Sequence, residues 1–201
     1  PGFITPNANS VSQDGKYICR FGKKAAAYNL LHQTVNAYNQ DMGIASSFEP
    51  YDVYSLHEID PEVSNQTVYD VVFYLQTLKA PMQRNQNDPE VNNGKQVFSN
   101  IGCNSCHKET LKTGYSAITE LSNKEIHPYT DLLLHDMGSG LDDGYTEGNA
   151  KTYEWRTPPL WGLGLSPNAQ GGSYFLLHDG RAKSIEEAIS MHGGEAEKSK
   201  N

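Results

Sequence analysis

Three cysteines and seven histidines are the side chains best suited to redox or metal chemistry in this chain of 201 residues. Two of the cysteines share a short phrase with a histidine, Cys103-Asn104-Ser105-Cys106-His107. Thiols two residues apart, followed directly by histidine, have the spacing of a c-type haem attachment site. The thiols add to the two vinyl groups on one edge of a porphyrin, and the next residue then sits under the iron. His107 is therefore the expected proximal ligand, since histidine is a common axial ligand of haem iron. A redox dithiol or half of a zinc site would use the same residue types. Zinc needs about four ligands, usually with a second Cys/His pair, and the sequence has no second pair. A thioredoxin-like dithiol needs a βαβ setting, which the sequence does not supply. The phrase points to covalently bound haem c, one group in this chain.

The iron needs a water, a histidine or a methionine opposite His107. His127, His135, Met137, His178, Met191 and His192 all lie downstream. Helical spacing favours His192. From Ile185 to His192 is seven residues, which returns to within about 20° of the same helix face. Ile185, Ala188, Ile189 and His192 then form one stripe facing inward, with Met191 about 120° away from Ile185. A buried histidine on such a stripe needs a partner for its ring nitrogens, and iron is one. Met137, beside Gly138, is the alternative.

The elements that must position these residues read as helices joined by long loops. Residues 1–22 look irregular. A helix is expected over 24–42, with Ala27, Leu30, Leu31, Val35, Tyr38 and Met42 near one face and Gly43 as its stop. Met42 reads as a core side chain. After a polar loop, Asp60-Pro61 starts a second helix, carrying Val68, Val71, Val72, Leu75 and Leu78 to about Lys79. Residues 82–88 read as a linker. Pro89 behind Asp88 opens a third helix, which delivers the chain to Cys103. Residues 108–183 read mostly as loop, with short helical pieces expected around 118–121 and 131–135. Ser184 and Glu187 form a capping box for a last helix, which Gly193-Gly194 ends.

Composition narrows the partners. There are 24 acidic and 16 basic side chains, a net charge of −8. That balance argues against nucleic acid and anionic membrane, and suits a basic redox partner. No apolar run reaches the ~18 residues of a membrane span. No signal peptide begins at Pro1. Haem c is attached outside the bacterial cytoplasm or in organelles, so the expected location is periplasmic or otherwise exported, with a leader removed. Cys19 reads as a small buried residue without a role.

Longer phrases carry a family resemblance. They are Arg20-Phe21-Gly22, Asp41-Met42-Gly43, Thr130-Asp131-Leu132-Leu133-Leu134-His135-Asp136-Met137-Gly138, Glu154-Trp155-Arg156-Thr157-Pro158-Pro159-Leu160-Trp161-Gly162, Leu177-His178-Asp179-Gly180-Arg181 and His192-Gly193-Gly194-Glu195-Ala196. Together they resemble the di-haem oxidoreductases also labelled thiol oxidoreductases. That group is related to the bacterial di-haem cytochrome c peroxidases and the methylamine-utilisation di-haem enzymes. The resemblance implies a mainly α fold: a cytochrome c-type haem domain with long loops over residues 86–201, lacking its closing helix. Residues 1–85 would be the C-terminal part of a first cytochrome c-like domain whose haem motif is absent. In the peroxidases the sixth ligand follows a His-Asp-Gly histidine by fourteen positions. Fourteen after His178 is His192, where histidine replaces the relatives' Met or Tyr and gives a bis-histidine site. The resemblance also implies that Arg156 pairs with a haem propionate, with Arg181 a weaker candidate. Trp155, Trp161 and Tyr174 could line the haem or lie between haems, but aromatics are more often plain core, and none is read as a redox relay. Asp142, Asp143 and Glu147 lack the calcium-loop pattern of an EF-hand and read as a solvated loop.

The implied function is electron transfer, as the electron-transfer half of a di-haem peroxidase-like oxidoreductase. Electrons would enter from a small electron-donor protein and pass to a second haem in a missing N-terminal haem domain, expected in the full-length parent. The alternative is a mono-haem electron carrier or haem-binding module without catalysis of its own. Catalysis by this chain stays open, because the catalytic haem motif is absent. Thiol oxidation finds no support: Cys103 and Cys106 are consumed by haem, and Cys19 stands alone.

Overall fold

The computed structural model describes residues 12–13 and 16–200. They form a mixed, largely helical fold whose sheets are all small antiparallel pairs. The chain divides into two units. The first holds residues 1–22 and 26–79, and the second holds residues 23–25 and 80–201.

In the first unit, β1 (Ser12–Gln13) pairs with β2 (Lys16–Tyr17). The first helix starts later than its apolar spacing predicts. The amides of Arg20 and Phe21 both donate to the Ala27 carbonyl, 3.0 Å each, and this bridge holds residues 21–27 out of helical geometry. Asn29 then caps α1 (Leu30–Asn36) by accepting from the His32 amide at 2.8 Å. One wider turn, Ala37–Asp41, continues it. Met42 is 56 % exposed, so the core reading of that residue fails.

The second helix, α2 (Asn65–Thr77), is capped by Ser64 rather than Asp60. Glu62 explains the shift. Its amide donates to the Ala45 carbonyl and its carboxylate accepts from the Ala45 amide, both at 3.0 Å. That pins the chain outside the helix until Ser64. Val68 and Val72 of α2 bury against Val35 of α1, with Leu30, Leu31, Tyr38 and Phe48 packed around them. Leu75 and Leu78 lie exposed, so the predicted stripe is only partly used.

In the second unit, α3 (Pro89–Asn100) begins where the sequence places it. The Asp88 carboxylate accepts from the Glu90 amide at 2.8 Å, and proline fills the first turn. The long region after it carries more order than expected. β3 (Leu111–Lys112) pairs with β4 (Glu125–Ile126), and β5 (Leu134–Asp136) pairs with β6 (Glu154–Arg156) in the register His135–Trp155. Residues 131–135 were expected to be helical, but β6, about twenty residues further on, pairs with Leu134 and His135 as a strand. A short 3-10 turn does form at Thr119–Leu121, and α4 (Ser166–Ala169) is a single turn. The last helix, α5 (Ile185–Ser190), starts at its Ser184 cap, which accepts from the Glu187 amide at 3.0 Å. A 3-10 segment, Gly194–Ser199, follows it.

Candidate functional site

The end of α3 aims the chain into the Cys103–His107 phrase. Gly102 sits in left-handed geometry at φ +89°, which glycine adopts without strain. Cys103–Ser105 then makes one 3-10 turn, closed by the Cys106 amide on the Cys103 carbonyl, which also accepts from the His107 amide at 3.0 Å. Both thiols are half-buried, and neither is in a disulfide. Burial pushes both thiols up, and at Cys106 the charges of Asp131 and Glu195 add to it.

His107 is held by the backbone. Its Nδ1 lies 2.9 Å from the Tyr129 carbonyl. A carbonyl only accepts, so Nδ1 carries the proton and Nε2 keeps its lone pair. The carbonyl is itself well anchored. Tyr129 stands at φ +56°, and its neighbour Thr130 is fully buried. The Thr130 amide donates to Lys108 at 2.9 Å, and its hydroxyl donates to the Thr157 carbonyl at 2.6 Å. Phe98 of α3 closes one side, 6.2 Å from the His107 ring and 5.9 Å from Tyr129. Burial pushes the His107 pKa down, and the nearby charges of His192 and His135 act in the same direction.

His192 mirrors this arrangement. It follows α5, and its Nδ1 lies 2.7 Å from the Ala188 carbonyl one turn earlier, so in the neutral ring Nε2 is the atom with the lone pair. Ala188 is buried, while Ile185 and Ile189 are about 40 % exposed. The predicted stripe exists, but its two largest members are half in the open.

The other sequence candidates separate from this pair. His135 of β5 has both ring nitrogens engaged, Nε2 with Asp131 at 2.8 Å and Nδ1 with Glu195 at 2.9 Å. Burial opposes its charge, but the two carboxylate hydrogen bonds outweigh burial and raise its pKa. Its Nδ1 also lies 3.7 Å from the Cys106 sulfur. Cys106, Asp131 and His135 thus bring donor atoms within 4.8 Å of one another, although the imidazole is already committed to carboxylates. His127 is exposed and pairs with Thr110 and Glu125. Met137 gives its amide to the Tyr153 carbonyl, 3.0 Å away.

Arg156 of β6 is half-buried, with its amide on the Lys23 carbonyl at 2.8 Å and Nη1 3.3 Å from the Thr157 carbonyl. Burial holds its pKa below the usual arginine range. Arg181 turns to Asp179 at 2.6 Å and to the Gly140 carbonyl at 3.1 Å.

The sequence reading missed Lys24. This side chain is 2 % exposed. Its ammonium donates to the carbonyls of Lys151, Thr152 and Glu154 at 3.0–3.3 Å, lies 3.5 Å from Asp143, and sits over the Trp155 ring. The acidic loop is therefore partly neutralised from within the protein. Trp155 donates its Nε1 proton to Leu141 at 2.8 Å and stacks on His178, whose Nδ1 is buried with no partner among the described residues. Lys24 lies in a helix-like stretch of sequence, so nothing local marked it. The Glu195 contact to His135 was equally hidden, because Glu195 lies sixty positions from it.

A family model described as "Di-haem oxidoreductase, putative peroxidase" matches residues 5–201. No curated protein matches the chain, and no solved structure matches it.

Proposed function

The chain belongs to the di-haem oxidoreductase family, and from that premise we propose that it is a c-type haem protein that transfers electrons. Cys103 and Cys106 would hold the haem covalently, and His107 and His192 would be its axial ligands. One observation carries this reading: both histidines commit Nδ1 to a backbone carbonyl and keep the Nε2 lone pair. Bound haem supplies a one-electron iron couple. The protein's part is to fix ligand identity, orientation and burial. With His107 and His192 both held to the iron, the haem would supply electron relay rather than peroxide binding. Arg156, half-buried on β6, would bind a propionate through its guanidinium. Within the family plan this chain is the electron-transfer half of a di-haem peroxidase-like enzyme, exported from the cytoplasm and fed by a small donor protein. A net charge of −8 favours a basic donor. No helix among the described residues is long and apolar enough to cross a membrane.

The single Cys-x-x-Cys-His phrase in these 201 residues favours a second reading, a mono-haem carrier without catalysis. Intact mass with a haem assay separates the two by counting haems per chain in the native protein. A covalent haem with a six-coordinate low-spin spectrum is expected. A haem-free protein after expression with the attachment machinery would refute the proposal.

A further inference from the structure

His135 bonds a carboxylate oxygen at each ring nitrogen, Asp131 at 2.8 Å and Glu195 at 2.9 Å. Ionised carboxylates only accept, and a neutral imidazole has a single N–H, so only the imidazolium satisfies both contacts. The side chains of His135 and Asp131 are 16 % and 10 % exposed, which shields these charge-assisted bonds from water. Glu195 uses its second oxygen as well, accepting from the Asp136 amide at 3.1 Å. It therefore grips β5 at two adjacent residues.

Glu195 stands three positions after His192, and the two residues between them are glycines. Their backbones lie directly on residues 136–138. A Cβ on Gly193 would meet the Met137 carbonyl oxygen at 2.8 Å, and one on Gly138 would meet the Gly194 nitrogen at 2.9 Å. Glycine permits this close approach, but it also leaves the backbone free to move. A strap of two glycines cannot hold a ligand by itself.

We propose that His135 is a positioning residue for His192: bridged to Glu195, it clasps the strap that follows His192 and so keeps that imidazole in place. The inference rests on reading His192 as an iron ligand. His135 needs no contact with the metal for this role, and both its nitrogens are taken. The charge pair fixes what the glycines leave loose.

The test uses the full haem-loaded chain and cyanide, which can bind the iron only when the sixth ligand lets go. H192A comes first and should lose the six-coordinate low-spin spectrum. H135L and E195A should then keep covalent haem but bind cyanide at least about tenfold more tightly than the wild type, in line with the loss of a charge-assisted hydrogen bond. E195A alters a side chain that is more than half exposed, so it serves if H135L does not fold. If H192A loses the low-spin spectrum while H135L and E195A bind cyanide as the wild type does, the clasp is refuted and the ligand reading stands. If H192A stays low-spin, the ligand reading fails, and the clasp fails with it.

Discussion

Trp155 lies flat against His178, with ring centroids 3.7 Å apart and planes within 6° of parallel. The Lys24 ammonium is 3.6 Å from the Trp155 centroid. One face being covered by imidazole, the cation occupies the other. Cation–π attraction and three carbonyl acceptors thus converge on one buried charge.

K24M tests that convergence. It keeps the length of the side chain and removes the charge, so three carbonyls and Asp143 lose a shared partner. Breaking a buried charge cluster from one side costs about 3–5 kcal/mol, and a loss near about 3 kcal/mol is expected in urea unfolding. An unchanged midpoint would mean that the ammonium contributes nothing net.

The His135 clasp makes stability depend on pH with a definite sign. The folded pKa is raised, so its contribution is full below the unfolded value of about 6.5 and is lost as pH rises through the folded value. Glu195 works the other way. The His135 and Asp136 hydrogen bonds lower its pKa, so its contribution is lost as pH falls through that lowered value. Burial lowers the pKa of half-buried His178, the opposite direction to His135, so the difference between wild type and H135Q is the quantity to follow. That difference should shrink from about pH 6.5 upward, and a constant difference would rule the clasp out as its source.

Two glycine-to-alanine exchanges should behave oppositely. Gly194 stands at φ +53°, and a Cβ there would strike Asp136. G194A is expected to cost about 2 kcal/mol through strain and collision. Gly94, inside α3, has nothing within 4 Å of an added Cβ. G94A should stabilise the chain by about 0.5–1 kcal/mol through helix propensity. Thermal unfolding of the two variants side by side checks both signs.

T130V probes the anchor beneath His107. The Thr130 hydroxyl donates to Thr157 and accepts from the Leu132 amide at 2.9 Å. Valine keeps the shape and strands both partners, at a cost of about 1–3 kcal/mol. Amide exchange at Leu132 should speed up with it; exchange at the wild-type rate would show that the hydroxyl bears no load.

Local signals carried far in this chain, and long-range ones did not. Asp88-Pro89 and Ser184 with Glu187 marked the starts of α3 and α5, because a cap is settled by neighbours three residues away. The start of α1 was misread because the apolar spacing continues through Ala27, which instead bridges to Phe21. Leu134 and His135 carried a helical pattern, yet their pairing with Trp155 and Arg156 decided their conformation. For the candidate site, the Cys-x-x-Cys-His spacing and the stripe ending at His192 were legible. The carbonyls that orient both histidines were not, since any residue supplies a carbonyl. Glu195 and Lys24 escaped because each acts on a partner that only the folded chain brings near.

Residues 23–25 belong with residues 80–201, although the chain on both sides of them belongs to the other unit. The second unit is therefore not a module that can be cut out at one point. A piece beginning at Ala80 leaves behind the ammonium that three carbonyls and an aspartate share, and also the Lys23 carbonyl that receives the Arg156 amide. Domain dissection, gene fusion and recombination at residue 80 would all separate a lock from its key, whereas a cut before Lys23 keeps them together.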